Sequence, residues 1–91
     1  MPPLDLSIVP AAREQTHLPI IVDPSQGTGK RSLVGPMSKA AIAVGADGLL
    51  IEVHPQPDRA IKDGAQSLAC DDFRQLVGEL QLVAEAVGRS L

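Results

Sequence analysis

Two short apolar runs separated by a glycine-containing stretch constrain this fold most. Leu18–Val22 is apolar, β-branched and too short for a helix, and Asp23 and Pro24 follow it, so it predicts a buried strand. Residues 25–31 contain two glycines and no apolar residue, which is typical of a loop. Gly48–Val53 is the next apolar run and predicts a second buried strand.

The residues between these strands have helical periodicity. Ser32 is placed to cap a helix whose first turn tolerates Pro36, and Gly45 is placed to end that helix. Two buried strands joined by a helix predict a right-handed βαβ unit with parallel strands. Asp23 and Glu52 would then lie at the carboxyl ends of neighbouring strands, the edge at which α/β folds place their ligands.

Further helices are predicted on both sides of this unit. Asp5 or Ser7 can cap a helix that runs to about Gln15, and Ser7 is the better choice because Pro10 then falls in the first turn. Cys70–Val87 predicts the longest helix, with a core-facing apolar stripe. The stripe consists of Phe73, Leu76, Val77, Leu80, Ala84 and Val87.

Composition excludes several classes of protein. The net charge of −3, the scattered basic residues and the single aromatic residue do not fit a nucleic-acid-binding surface. No apolar stretch reaches the roughly 20 residues of a membrane span, and the N-terminus lacks a signal-peptide pattern, so we expect a cytoplasmic protein. The single Cys70 cannot form an internal disulfide, although an intermolecular bridge stays open. Two parallel strands need neighbours and cover on both faces, so this looks like part of a larger fold.

The loop after the first strand permits a phosphate-binding interpretation. The nucleotide-binding P-loop motif is absent, because Pro24 stands where its first glycine would be and Arg31 follows Lys30. Freed backbone N–H groups, the two adjacent cations and a helix N-terminus still offer a place for an anionic group. A solvated turn explains the same residues equally well.

Two carboxylates form the stronger candidate site. Glu52 near the end of an apolar strand needs a metal, hydrogen bonds or a cation to compensate for its burial. Asp63, in a glycine turn eleven residues later, could be brought beside it to give two oxygen ligands for a divalent metal, although ordinary turn chemistry also accounts for it. His54 alternates with Glu52 along the strand, and we expect it to form hydrogen bonds rather than bind metal directly.

A resemblance to one enzyme family covers nearly all 91 residues, so residues 1–91 are interpreted as a single fragment of that family's domain. The segments LDLSIVP, LPIIVDPSQGTGKR and AAIAVGADGLLIEVHPQPDRAIKDGAQSL are similar to the C-terminal third of 3-deoxy-7-phosphoheptulonate synthase (DAHP synthase), class I, of the subgroup similar to KDO8P synthase. The resemblance implies an α/β fold that is a partial (β/α)8 TIM barrel, with these strands as its seventh and eighth. It also implies a transferase that condenses phosphoenolpyruvate with erythrose 4-phosphate, the first step of aromatic amino acid biosynthesis in the shikimate pathway.

The resemblance further implies a site for a divalent metal, which is Mn, Zn, Fe or Co in the family. The family binds it through Cys, His, Glu and Asp, and its Glu and Asp correspond to Glu52 and Asp63. The family histidine lies in a DPSHG motif that reads DPSQG here, so Gln26 stands at its position with a weaker, neutral amide ligand. The family cysteine belongs to an early strand that this sequence lacks, and Cys70 does not occupy its place.

Three functions stay open at this point. The first is a truncated or split DAHP synthase homologue that is inactive alone, with Lys30 and Arg31 as phosphate-side residues and the rest of the barrel supplied by another chain. The second is a non-catalytic relic or interaction module that has lost the metal-binding histidine. The third is a small phosphate- or metal-binding α/β module that forms a homo-oligomer to complete its sheet. None of the three needs a nucleic-acid or membrane partner.

Overall fold

Helices and short strands alternate along the chain, in the order that the sequence predicts. The structure is a computed structural model and describes residues 5–25, 30–56 and 67–89. Its elements are α1 (Ile8–Gln15), β1 (Ile21–Val22), α2 (Arg31–Val44), β2 (Gly48–Leu49) and α3 (Cys70–Ala86). No helix in these three ranges is both long and apolar enough to cross a membrane.

The two strands pair in parallel and α2 connects them, which confirms the predicted βαβ unit. Ile21 lies opposite Gly48, and Val22 lies opposite Leu49. The backbone N–H of Leu50 then donates a hydrogen bond to the carbonyl oxygen of Val22 at 2.9 Å. Because the strands are parallel, their carboxyl ends meet at one edge of the sheet.

Both strands are shorter and less buried than the sequence predicts. Pro19 has no N–H to donate, and the N–H of Ile20 donates to the carboxylate of Asp47 at 2.8 Å instead of to a neighbouring strand. The side chains of Ile21 and Leu50 are 60% and 59% exposed, because they point away from the helices. Within this chain the predicted burial of the strands is confirmed for the face toward the helices, and the other face is open.

The bounds of α2 differ from the prediction at its N-terminus and agree at its C-terminus. The helix begins at Arg31 after an extended Lys30, so Ser32 is the second helical residue and not the cap. Pro36 lies in the second turn, where its missing N–H leaves a gap in the helical hydrogen bonds. Gly45 has a φ of 110° and ends the helix in the left-handed region, as predicted.

The two outer helices follow their sequence patterns closely. Ser7 precedes α1 as predicted, but the carboxylate of Asp5 makes the local hydrogen bonds, accepting from the Ser7 N–H at 3.0 Å and from its hydroxyl at 2.7 Å. These bonds, the side-chain one first, lower the pKa of Asp5. The last helix ends at Ala86, and Val87 beyond it is 43% exposed, so the predicted stripe is one residue too long.

Helix α2 lies between two apolar clusters. The cluster shared with α3 contains Val34, Ile42, Leu68, Leu76, Leu80 and Ala84. The cluster shared with α1 and β1 contains Val9, Val22, Ala41 and Ala46. Leu49 of β2 packs against both clusters, so the position of the sheet depends on all three helices.

A single carboxylate holds the amino ends of the strands. Asp47 accepts hydrogen bonds from the N–H of Ile20 at 2.8 Å and from the guanidinium of Arg13 at 2.7 Å. The guanidinium of Arg89 lies 3.6 Å from its second oxygen and also donates to the carbonyl oxygen of Ala46. The bond from the Ile20 backbone, followed by that from Arg13, lowers the pKa of Asp47. This carboxylate thereby links α1, β1 and the residues after α3.

Candidate functional site

The candidate site is the edge at which both strands end. Asp23 directly follows β1, and Glu52 lies three residues after β2. Both residues are partly buried. The hydrogen bond from Leu50 to Val22 aligns the two chain segments, so the two carboxylates lie at the same edge, as predicted.

Ser25 connects the two strand ends through its side chain. Pro24 and Ser25 already have helical backbone, so the chain leaves the sheet immediately after Asp23. The hydroxyl oxygen of Ser25 accepts a hydrogen bond from the backbone N–H of Glu52 at 3.0 Å. The side chain thus supplies a hydrogen bond that the strand backbone no longer provides.

A segment from later in the chain borders Glu52 on its other side. The N–H of Leu68 donates to the carbonyl oxygen of Glu52 at 2.9 Å, and the N–H of His54 donates to the carbonyl oxygen of Leu68 at 2.8 Å. These bonds form a parallel bridge between Val53 and Leu68. The backbone of Glu52 is therefore held at both its N–H and its carbonyl oxygen.

The hydrogen-bonding role expected for His54 is confirmed. Its Nδ1 accepts a hydrogen bond from the backbone N–H of Gln56 at 2.9 Å. The imidazole is partly buried and stabilises the turn that follows Glu52.

One of the predicted metal ligands lies in the described part of the chain. Glu52 is at the strand edge, whereas Gln26 and Asp63 lie outside the described residues. Within residues 5–25, 30–56 and 67–89, no three His, Cys, Asp or Glu side chains are grouped closely enough to hold a metal ion. The metal site therefore stays a prediction, and Glu52 is its located member.

The two predicted phosphate-side cations lie at the N-terminus of α2. Lys30 is exposed, and Arg31 is partly buried at the wall of a cavity of about 260 Å³ between α2 and α3. The opposite wall carries Asp72 and Glu79, and Glu79 also pairs with Lys39 at 3.1 Å. The surroundings of Arg31 are thus of mixed charge, and its predicted role is not tested by this geometry.

Sequence reasoning missed three residues at this edge. Ser25, Ser67 and Leu68 are all buried. A small polar residue directly after a strand-ending Asp-Pro pair is a signal that could have identified Ser25. The bridge at Leu68 involves one residue, which leaves no apolar run to detect in the sequence.

Comparisons with known proteins identify the family. The model of the DAHP synthetase I family matches residues 2–87. A phospho-2-dehydro-3-deoxyheptonate aldolase of Thermotoga maritima is 54% identical over 85 residues, which are 93% of this chain and 25% of that protein. A 2-dehydro-3-deoxyphosphooctonate aldolase of Desulfotalea psychrophila is 48% identical over 60 residues, which are 66% of this chain and 21% of that protein.

Solved structures from the same family share the fold. The crystal structure of the Thermotoga maritima phospho-2-dehydro-3-deoxyheptonate aldolase (DAHP synthase) matches with a TM-score of 0.94 at 52% identity, over 97% of this chain and 26% of that one. A truncated 3-deoxy-D-arabino-heptulosonate 7-phosphate synthase from the same organism matches with a TM-score of 0.93 at 53% identity, over 96% of this chain and 33% of that one. This chain spans about a quarter to a third of the length of these structures. The matches, which cover the βαβ unit and its polar edge, confirm the resemblance in the sequence: the chain belongs to the DAHP synthetase I family.

Proposed function

We propose that this chain supplies the last two strands of a (β/α)8 barrel and, with them, part of the active site of a DAHP synthase. The observation that carries the proposal is a parallel strand pair whose second face is apolar and open. Ile21 and Leu50 on that face are 60% and 59% exposed, although the opposite face packs against helices. In a barrel the helices cover the outside and such a face points inward, against the remaining strands.

The proposed reaction is the condensation of phosphoenolpyruvate with erythrose 4-phosphate. Substrates of barrel enzymes bind at the carboxyl ends of the strands, where Asp23 and Glu52 lie in this chain. Lys30 and Arg31 follow the first of these strands and would provide positive charge for substrate phosphate groups. The other strands of the barrel would bind the rest of both substrates. A cytoplasmic location belongs to this proposal, since the single Cys70 suits a reducing compartment.

Glu52, Asp63 and Gln26 are the residues that would hold a divalent metal. All three offer oxygen atoms, and this donor set suits Mn²⁺ better than metals that prefer sulfur or imidazole ligands. The fixed backbone of Glu52 fits the requirements of a ligand, because both its N–H and its carbonyl oxygen are bonded. When bound, the metal would act as a Lewis acid toward the aldehyde substrate.

Complementation tests the barrel proposal. We expect no heptulosonate 7-phosphate from these 91 residues alone, because they correspond to 25% of the length of the related aldolase and the other barrel strands would bind most of both substrates. Co-expression with a chain that carries the first six barrel strands of a DAHP synthase should restore formation of the product. Loss of a residue that hydrogen-bonds to a metal ligand typically lowers activity by ~10–100-fold. In the complemented pair, Glu52→Gln removes a proposed ligand itself and should lower kcat by more than that.

The matched control for that substitution is Glu85→Gln, which removes a carboxylate from the exposed surface of α3. It should leave the activity of the complemented pair unchanged. Turnover by the pure chain would contradict the proposal. Absence of activity from a folded, assembled pair would contradict it equally.

Metal titration tests the ligand set. Calorimetric titration of Mn²⁺ and Zn²⁺ into the parent chain should show weak binding, and Gln26→His should tighten it, for Zn²⁺ most of all, because imidazole is a good zinc ligand. Gln15→His introduces the same group at the end of α1, outside the proposed ligand set. It should change the affinity for neither Mn²⁺ nor Zn²⁺. If both Gln26 forms bind no metal, the metal site is wrong while the barrel proposal stands on complementation.

A non-catalytic module that oligomerises is the second candidate function. The open face that carries Ile21 and Leu50 favours it as well, since two copies of the chain could cover each other there. Restored turnover in the complementation experiment would exclude this candidate.

A further inference from the structure

We propose that Ser25 is a positioning residue that fixes Glu52 at the strand edge. The inference rests on the proposed function for what the Glu52 carboxylate does, but its geometric part stands on contacts within the described residues. Amide hydrogen exchange tests the geometric part, and Mn²⁺ titration tests the part that concerns the metal.

The hydrogen bonds between the two parallel segments continue beyond the ends of the strands. The N–H of Leu50 donates to the carbonyl oxygen of Val22 at 2.9 Å. In a regular parallel pair the N–H two residues later, that of Glu52, would donate to the carbonyl oxygen of Pro24. Here Pro24 is already helical, and the hydroxyl of Ser25 accepts that hydrogen bond at 3.0 Å. The serine therefore allows the first chain segment to leave the sheet while the second stays in line.

The Ser25 side chain has 0% exposure, so water cannot replace its hydroxyl as the acceptor without a change in the structure. The hydrogen bond from the Glu52 N–H is partly buried, and an N–H group shielded from water carries a desolvation cost when it loses its partner. Removal of the hydroxyl should consequently move or loosen the backbone at Glu52, and the carboxylate with it.

Ser25 is next to a predicted metal ligand in the sequence. Gln26 follows it directly and stands at the position of the family histidine. One buried hydroxyl thus ties the backbone next to one predicted ligand to the backbone of another, across two segments that are 27 residues apart. This makes Ser25 a residue that acts on the site through Glu52 and not by touching a substrate.

The chain contains a matched control for this hydroxyl. Ser38 on α2 is also 0% exposed, but its hydroxyl oxygen has no hydrogen-bond partner among the described residues. Ser38→Ala and Ser25→Ala remove the same atom from equally buried positions. Only the second removes the bond to Glu52.

The experiment is backbone amide hydrogen exchange by NMR on the full chain and on three variants: Ser25→Ala, Ser25→Cys and Ser38→Ala. In Ser25→Ala, exchange at the Glu52 N–H should rise by about 10-fold relative to the N–H groups of Leu50 and Leu68. Ser25→Cys keeps a side chain of similar size with a weak acceptor and should show most of this rise. Ser38→Ala should leave the ratio unchanged. An unchanged ratio in Ser25→Ala, or a parent-like ratio in Ser25→Cys, overturns the proposal.

Mn²⁺ titration of the same proteins separates the two parts of the inference. Ser25→Ala should weaken Mn²⁺ binding by about 5-fold or more, and Ser38→Ala should not. Equal affinity in the parent and Ser25→Ala would show that Ser25 does not position the metal ligand. If neither the parent nor Gln26→His binds metal, the metal part of the proposed function fails, and the exchange ratios still decide whether Ser25 holds Glu52.

Discussion

At Asp47, one carboxylate accepts hydrogen bonds from the backbone of Ile20 and the side chain of Arg13, and it also faces Arg89. The folded-state pKa of Asp47 is lowered from the ordinary value of about 3.9. Its stabilising contribution is therefore fully present above about pH 4 and is lost as the pH falls through the folded-state pKa. We expect Asp47→Asn to lower Tm at pH 7, and the difference from the parent to shrink in strong acid. Thermal unfolding from pH 7 to pH 2 measures both effects.

Asp5 supplies the control for the effect of Asp47→Asn on Tm. Its pKa is also lowered, in this case by hydrogen bonds from Ser7 alone, so its stabilising contribution is likewise lost in acid. Asp5 holds the start of α1, whereas Asp47 joins parts of the chain that are distant in sequence. Asp5→Asn should thus lower Tm less than Asp47→Asn at pH 7. Equal losses would show that the shared carboxylate has no special role.

Among the helices, two glycines with open surroundings allow the effect of backbone conformation on stability to be measured separately from the effect of packing. A Cβ added at Gly45 or Gly78 would meet nothing within 4 Å, but only Gly45 has a positive φ, of 110°. Gly45→Ala should therefore destabilise the chain by about 1 kcal/mol. Gly78→Ala, in the middle of α3, should stabilise it by roughly 0.5–1 kcal/mol. Urea denaturation of both variants measures the difference, and effects of the same sign would refute the argument.

Helices were more predictable from the sequence than strands. Apolar spacing and Gly45 predicted the end of α2, and the predicted start of α3 at Cys70 is confirmed. The predicted start of α2 was wrong by two residues, because Lys30 and not Ser32 is the residue that precedes the helix. Strand length depends on hydrogen bonds between distant segments, such as that of Ile20 with Asp47, and local patterns do not contain them.

The site was predictable only in part for the same reason. The positions of Asp23 and Glu52 at one edge follow from a parallel crossover, which the sequence pattern predicts. The contacts of Ser25 and Leu68 with Glu52 come from residues that are not neighbours in sequence, so they became visible only in the fold. The ligand roles of Gln26 and Asp63 depend on the resemblance and stay predictions.

At the scale of the whole molecule, the open sheet face should decide how the chain behaves in solution. We expect the isolated chain to self-associate, because Ile21 and Leu50 expose apolar side chains on strands that pair only with each other among the described residues. The double substitution Ile21→Thr, Leu50→Thr should shift the chain toward monomer in sedimentation velocity. Leu82→Thr changes a side chain on α3 that is 68% exposed and should leave association unchanged. A monomeric parent, or an equal response to Leu82→Thr, would contradict this expectation.

The bridge between Val53 and Leu68 has a consequence for how such a chain can vary. Backbone hydrogen bonds hold Val53 and Leu68 side by side, so the two flanks of the sequence interval between them are fixed. Doubling the length of a flexible loop adds only about 0.6 kcal/mol of closure entropy. Insertions and deletions between these flanks should therefore change the free energy of folding little. The same interval is a place where a protein engineer could insert a foreign peptide.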